Sequence, residues 1–280
     1  MTSRERIKAL FASGAPDRIP VFDMFPGAGY ACGYSDIIIH DVSCVKSPDR
    51  EKFNMAAVTD PFETLSHEIG FENAIEKIAA DPRWISEKLE SITEGIISGL
   101  EARRDMISEM DGIWLWADMA YNKGTYFGPL FYAERLLPLH RRLCGYFSGM
   151  SLPVVIHSDG NISDILRFLP GAGFKGVHPL ESKAGMRLRD ADRECGGQMV
   201  LFGNMDAGVL RSAMTGDALD RVAEKLEEAK GVKAYVFGFE EPVSADMDGA
   251  RYGEVVEFVR SYGFGRITQK DLAWQGLKTG

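Results

Sequence analysis

The chain has 280 residues, 45% of them hydrophobic and 26% charged, enough apolar material for one large globular domain. Its net charge of −9, with lysines and arginines scattered among acids, argues against a nucleic-acid-binding role, which calls for a basic stripe. Four cysteines without a CxxC pair argue against a disulfide scaffold, and no apolar run reaches the length of a membrane span, so the reading is cytoplasmic.

In chain order, "MTSRERIKALF" reads as a short helix capped by Thr2 or Ser3, and "APDR" breaks it. "IPVFDMF" (Ile19 to Phe25) reads as a buried strand running into the glycine-rich loop "PGAGYACG". "SDIIIHDV" and "FNMAAVTD" read as further strands. From Asp81 to Met110 the apolar residues Trp84, Ile85, Leu89, Ile92, Ile96, Ile97 and Leu100 recur at helical spacing. The rhythm then becomes regular. "DGIWLWAD", "PVVIHSD", "FKGVHPLE", "QMVLFGNMD" and "AYVFGFEE" are strands. The segments after them, "GPLFYAERLLPLHRRLCGYFSG", "NISDILRFLPGAG", "AGMRLRDADREC", "DALDRVAEKLEEAK" and "RYGEVVEFVRSYG", are helices.

Repeated βα units predict parallel strands. Seven or eight of them predict an α/β fold of the (β/α)₈ TIM-barrel type, as one domain over residues 1–280; a doubly wound open sheet is the alternative. No GxGxxG follows the first strand, which weakens a dinucleotide-binding reading. In such barrels function collects where strands end at their C-terminal side. The polar groups here recur at those ends: Asp23, Asp60, Asp118, His157 with Asp159, His178 with Glu181, Asn204 with Asp206, and Glu240 with Glu241.

Each has a plainer reading. His157 reads equally as a strand cap, and Asp159 before Gly160 as a turn former or helix cap. Glu181 reads as a helix cap, Asp206 as the N-cap of "AGVLRSAM", and Lys123 as a solvated loop residue. His178 before Pro179 reads as a packed histidine. His40, His67 and His140 stand alone and receive no role. Trp114, Trp116, Phe22, Phe25 and Tyr30 read as core or pocket walls.

The segments "VIHSDGNI", "HPLESKAGM", "LFGNMDAGVL", "DMAYNKGTYFGPLFYAERLLPLHRRL" and "VTDPFETLSHEIGFENAIEKIAADP" together resemble the uroporphyrinogen decarboxylase family, in its corrinoid-linked methyltransferase-like branch. The resemblance runs from about Met1 to about Phe264. It is weakest from Ala28 to Lys52, where the N-terminal region is shortened. It implies a TIM barrel. The true decarboxylases carry an arginine-bearing loop after the first strand, whereas "DMFPGAGYACGY" has no arginine. They also carry a histidine-glycine motif after the last strand, where "FGFEEPVSAD" stands here.

The methyltransferase branch implies a zinc site built from His-x-Cys and a late cysteine. Here His157-Ser158-Asp159 stands at the first position, and Glu240 and Glu241 lie near the second. The resemblance therefore implies a methyltransferase that moves a methyl group between a small methylated substrate and a corrinoid on a partner protein. Zinc held by His157, Asp159 and Glu181 would assist. Asp159, Glu181 and Asp118 are the catalytic candidates, and Tyr121, Lys123, Asn204 and Asp206 the substrate-binding ones. A metal-independent decarboxylase or lyase using Asp159 or Glu181, and a non-catalytic small-ligand-binding barrel, are the alternatives. A homo-oligomer is compatible with all three.

Overall fold

The computed structural model describes residues 1–24, 33–42, 48–211, 215–244 and 247–262. Helix α1 (Ser3–Phe11) starts in a capping box: Thr2 accepts from the Glu5 N–H, and the Glu5 carboxylate accepts from the Thr2 N–H. Strands β1 (Val21–Phe22), β2 (Ile37–Asp41) and β3 (Phe53–Thr59) follow. Helices α2 (Pro61–Ile69), α3 (Phe71–Ala80), α4 (Pro82–Glu101) and α5 (Arg104–Ser108) precede β4 (Gly112–Trp116). The periodic stretch read from Asp81 to Met110 is thus broken after Glu101. The turn lets Ile107 and Met110 bury themselves and brings the Asp111 N–H to the Asn54 carbonyl at 2.7 Å, which sets β4 against β3.

A small hairpin, β5 (Ala120–Tyr121) and β6 (Gly124–Thr125), leads into α6 (Pro129–Phe131) and α7 (Leu137–Ser148). A π-helical turn at Tyr132–Leu136 joins the two and accommodates Pro138 inside an otherwise continuous helix. Then come β7 (Val154–His157), α8 (Leu169–Ala172), β8 (Gly176–His178), α9 (Leu188–Glu194), β9 (Val200–Met205), α10 (Thr215–Ala229), β10 (Tyr235–Phe239) and α11 (Gly249–Ser261). The helix expected over "NISDILRFLPGAG" is largely turns and a 3-10 segment before the one-turn α8, which Gly173 ends in the left-handed conformation.

Eight strands pair in parallel in the order β1-β10-β9-β8-β7-β4-β3-β2, giving the (β/α)₈ TIM barrel. Asp36 ties its two end strands together. Its N–H donates to the Val21 carbonyl at 2.7 Å, and its carboxylate accepts from the Val21 N–H at 2.8 Å. Arg6 and Arg18 neutralise that fully buried carboxylate.

Strand alternation divides the core. Val21, Ile113, Leu115, Val154, Ile156, Val177 and Phe237 face the helices. Phe22, Phe53, Met55, Trp114, Val155, Phe202 and Val236 fill the barrel, and Ile7 and Leu10 of α1 close its N-terminal end. Gly176 is required by this filling: a Cβ there would lie 2.8 Å from the Phe202 ring.

Candidate functional site

The alternation that points Trp114 and Val155 inward also points Trp116, His157 and His178 inward, one layer nearer the C-terminal mouth. Trp116 is in register with His157, and His157 with His178. The rings pack together, His157 stacked with Trp114 and His178 and met edge-on by Trp116. His157 lies 4.6 Å from Trp116, 5.8 Å from Trp114 and 5.0 Å from His178, centroid to centroid.

The loop Ser158 to Asn161 explains why His157 and Asp159 are available for chemistry. Ser158 Oγ accepts from the Met119 N–H at 3.0 Å, and the Ser158 N–H donates to the His178 carbonyl at 3.0 Å. Gly160 adopts φ +81°, and a Cβ there would meet the Ala120–Tyr121 backbone at 2.7 Å. Asn161 bonds the Tyr121 carbonyl, the Ala184 carbonyl and the Ser163 N–H. The capping and turn roles thus fall on Ser158, Gly160 and Asn161. The Asp159 carboxylate points instead to the His157 ring.

His157 is 2% exposed. Its Nδ1 lies 2.8 Å from His178 Nδ1, and its Nε2 faces Asp118 Oδ1 at 3.6 Å and Asp159 Oδ1 at 3.7 Å. The Asp159 N–H also donates to Asp118 Oδ1 at 3.0 Å. Ligand atoms of Asp118, His157 and Asp159 all lie within 4.8 Å of one another. Burial pushes the His157 pKa down to about 4, against a smaller upward pull from Asp118, so the ring is neutral at pH 7. His178 is also held well below the usual histidine range, by burial first and by His157 second, with the Phe239 backbone pulling the other way.

One imidazole of this neutral pair must donate across the Nδ1···Nδ1 contact and the other accept. His178 Nε2 makes no hydrogen bond of good geometry, yet the Phe239 backbone beside that ring favours its protonation. A metal at Nε2 requires the tautomer in which His157 donates through Nδ1 to His178 and keeps its lone pair on Nε2, toward the two carboxylates; the His178 proton then sits on Nε2.

Carboxylates crowd the same mouth. Glu63, in the first turn of α2, accepts from the Asp118 N–H at 3.2 Å. Its pKa rises to about 7, through burial first and then through Asp118, Asp60 and Asp159. Asp159 also rises to about 7, through burial, Asp118, Glu181 and Glu240. Glu240 is raised by burial, Asp206 and Glu181, against hydrogen bonding from Ser182.

The positions of the sequence candidates differ. Asp118 and Asp159 are the carboxylates gathered with His157, in a cluster that could hold a metal ion. Glu181 Oε2 accepts from the Gly160 N–H at 2.8 Å and so anchors the loop. Tyr121 is 49% exposed on the β5–β6 hairpin and stacks on Tyr126, and Lys123 is exposed at the hairpin turn. Asn204 is fully buried and turned toward the helix layer. There it bonds the Leu180 and Met186 carbonyls and the Lys225 ammonium, a framework role rather than a substrate contact. Asp206 accepts from the Gly208 N–H at 2.7 Å and pairs with Lys183 at 2.8 Å, so its capping role is real. Asp60 is the N-cap of α2. Phe25 and Tyr30 lie outside the described residues.

Sequence reasoning missed two features. Glu63 stands three residues after the strand-end Asp60, the spacing of a helix N-terminus, which could have marked it. His140, given no role, is wholly buried between Asp60 Oδ2 at 2.9 Å and the Tyr132 hydroxyl at 3.0 Å, beneath the α2 turn that carries Glu63. Cys144 and Cys195 are buried free thiols pushed up to about 12 by burial, which unsuits them as thiolates.

Metal-site chemistry fits Asp118, His157 and Asp159. Zinc bonds of about 2.0–2.2 Å place neighbouring tetrahedral ligand atoms about 3.4 Å apart, close to the 3.6 Å and 3.7 Å that separate His157 Nε2 from the two carboxylates. A neutral imidazole with its lone pair inward and two carboxylates are competent zinc ligands and leave a coordination position for substrate. A cation would also offset the burial and, secondarily, the mutual repulsion that raise Glu63 and Asp159.

Among the described residues no helix is long and apolar enough to cross a membrane. No curated protein sequence matches the chain. Among solved structures, a methyltransferase from Methanosarcina mazei superposes with a TM-score of 0.72 at 13% identity, covering 92% of this chain and 98% of that one. At that identity the likeness speaks to fold alone. A fructose-bisphosphate aldolase from Slackia heliotrinireducens DSM 20476 reaches a TM-score of only 0.35, at 14% identity over 61% of this chain and 60% of that one. The YdjI aldolase from Escherichia coli K12 reaches 0.30, at 11% identity over 80% of each chain, and neither aldolase informs the fold or the site. The sequence profile described as uroporphyrinogen decarboxylase (URO-D) matches residues 36–262, most of the chain. The barrel and its mouth of histidines and carboxylates are therefore those of a member of the uroporphyrinogen decarboxylase family.

Proposed function

We propose that this barrel is a methyltransferase that takes a methyl group from a small methylated substrate, with a corrinoid on a separate protein as the exchange partner. The observation that carries the reading is the convergence of Asp118 and Asp159 on Nε2 of a buried, neutral His157. Family membership and a fold shared with a methyltransferase support it. Asp118, His157 and Asp159 would hold zinc, which when bound supplies a Lewis acid for the heteroatom that carries the methyl group. His178 fixes the tautomer and direction of His157. Glu63 holds the Asp118 backbone, and Glu181 holds the loop that presents Asp159. Trp114 and Trp116 wall the site and keep bulk water from the histidine edge. Two buried free thiols suit a reducing, cytoplasmic setting.

A second reading rests on its own observation. Asp159 and Glu63 both sit near pKa 7, where a carboxyl group serves as a general acid or base without a metal. That would make the protein a lyase. The deciding experiment measures methyl transfer from candidate methylated compounds to a free corrinoid, with metal-stripped and zinc-reloaded protein. Zinc-dependent transfer supports the first reading. No transfer in either state, with zinc-independent decarboxylation or elimination of candidate substrates that fails in Asp159→Asn, supports the second.

A further inference from the structure

We propose that the barrel mouth recognises its substrate as a methylated cation, a quaternary ammonium or sulfonium ion, held between the carboxylates of Glu240 and Glu181 and the rings of Trp116 and Tyr126. This names the substrate class and rests on the methyl-transfer reading.

The charge balance at the mouth is one-sided. Lys183 pairs with Asp206 at 2.8 Å and with Glu241 at 3.0 Å, and is thereby committed. Glu63, Asp118, Asp159, Glu181 and Glu240 form no ion pair with a lysine or arginine among the described residues. An anionic substrate would meet these acids directly. An uncharged one would draw nothing from them.

Acids alone do not make a site, and Glu240 supplies the independent observation. It continues the inward register of Val236 and Gly238 on β10, and it is 5% exposed. Its Oε1 accepts from the Ser182 N–H at 2.7 Å. Its Oε2 is buried with no hydrogen-bond partner. A buried carboxylate oxygen without a donor is costly unless a positive group meets it. Its bond to Ser182, next to Glu181 whose carboxylate holds the Gly160 N–H beside Asp159, places it within the mouth. It lies outside the tight ligand set at His157, so a metal bound there would not satisfy it.

The aromatic residues select among cations. Trp116 borders His157, and the Tyr126 phenol is raised by burial first and then by the charges of Asp118 and Asp159. Tyr121 stacks on Tyr126 at 5.8 Å. Aromatic rings beside carboxylates suit a diffuse cation that carries no N–H to satisfy. The chemistry follows the same logic. When an acceptor nucleophile takes the methyl group, it supplies the electron pair of the new bond. The old C–N or C–S pair stays on the heteroatom. The product forms as an uncharged sulfide, or as an amine that has lost the permanent charge and can take up a proton from solvent as it leaves.

Calorimetric titration of the full-length protein, with and without zinc, tests this using choline, tetramethylammonium and trimethylsulfonium. The uncharged isostere 3,3-dimethyl-1-butanol serves as control. At least one cation should bind, and at least tenfold more tightly than the alcohol. Glu240→Gln, which keeps an acceptor for Ser182, and Trp116→Leu should each weaken that binding at least tenfold. Glu240→Gln should unfold in urea no earlier than the parent, which confirms that it is folded. Absence of binding by all three cations at tens of millimolar overturns the proposal while leaving zinc binding and methyl transfer intact. Equal binding of choline and the alcohol, or unchanged binding in Glu240→Gln, overturns it equally. Cation binding without zinc binding would overturn the metal-assisted mechanism and uphold the recognition of a cation.

Discussion

Replacing His178 with leucine removes the one hydrogen-bond partner of His157 Nδ1, at 2.8 Å, while keeping apolar volume beside Phe22 and Trp114. Two consequences follow. His157 is 2% exposed, so its Nδ1–H is left buried and unsatisfied, at a cost of about 1–3 kcal/mol. The ring also loses the contact that fixes its tautomer, which for metal-binding histidines costs roughly 10–100-fold in affinity, or about 1.4–2.7 kcal/mol. His178→Asn keeps an acceptor in the same direction and should recover part of the loss. Zinc affinity is read by competition with a chelating dye, and stability by urea unfolding. If His178→Leu binds zinc as tightly as the parent, or if His178→Asn is no better than His178→Leu, the tautomer assignment is wrong.

The remaining predictions concern protonation, packing and substrate. Asp159 holds its proton up to about pH 7 whereas His157 is neutral down to about 4, so metal affinity should fall as pH drops through 7. A fall centred near pH 4 instead would show that the histidine is the gate, and Asp159→Asn should abolish the step near 7. Gly176→Ala drives a methyl group into the Phe202 ring and should cost about 1–3 kcal/mol in urea unfolding; a neutral effect would mean that the barrel filling yields easily. Lacking arginine from Asp23 to Tyr34, the protein should form no coproporphyrinogen from uroporphyrinogen under anaerobic conditions, and clear product would refute the inference from that loop.

The barrel was legible because each strand is a short apolar run ending in polar residues, a pattern that survives without any long-range information. His157 and Asp159 were legible for the same reason. Asp118 was a strand-end candidate too, but its place beside His157 was not legible. β4 and β7 are neighbours in the barrel, yet a hairpin and a long helix separate them in the chain, so the approach of Asp118 to His157 is purely tertiary. Glu181 follows the strand on the other side of β7, and sequence distance favoured it. The Gly160 N–H claims its carboxylate instead.

Asn204 shows a different failure. Gly203 at φ +87° and Asn204 at φ +59° interrupt the strand's alternation and swing the amide toward Lys225. The glycine inside the strand was the available warning. His140 carried no signal at all, since its partner Asp60 lies 80 positions away.

The most direct test of the central claim is zinc titration at neutral pH of the wild-type protein, His157→Ala, Asp118→Asn and Glu181→Gln. The geometry predicts binding by the wild type, loss of most of it in His157→Ala, clear weakening in Asp118→Asn and a smaller change in Glu181→Gln. No zinc binding by the wild type, or binding by His157→Ala equal to it, would contradict a metal-assisted site and leave the acid–base reading in its place.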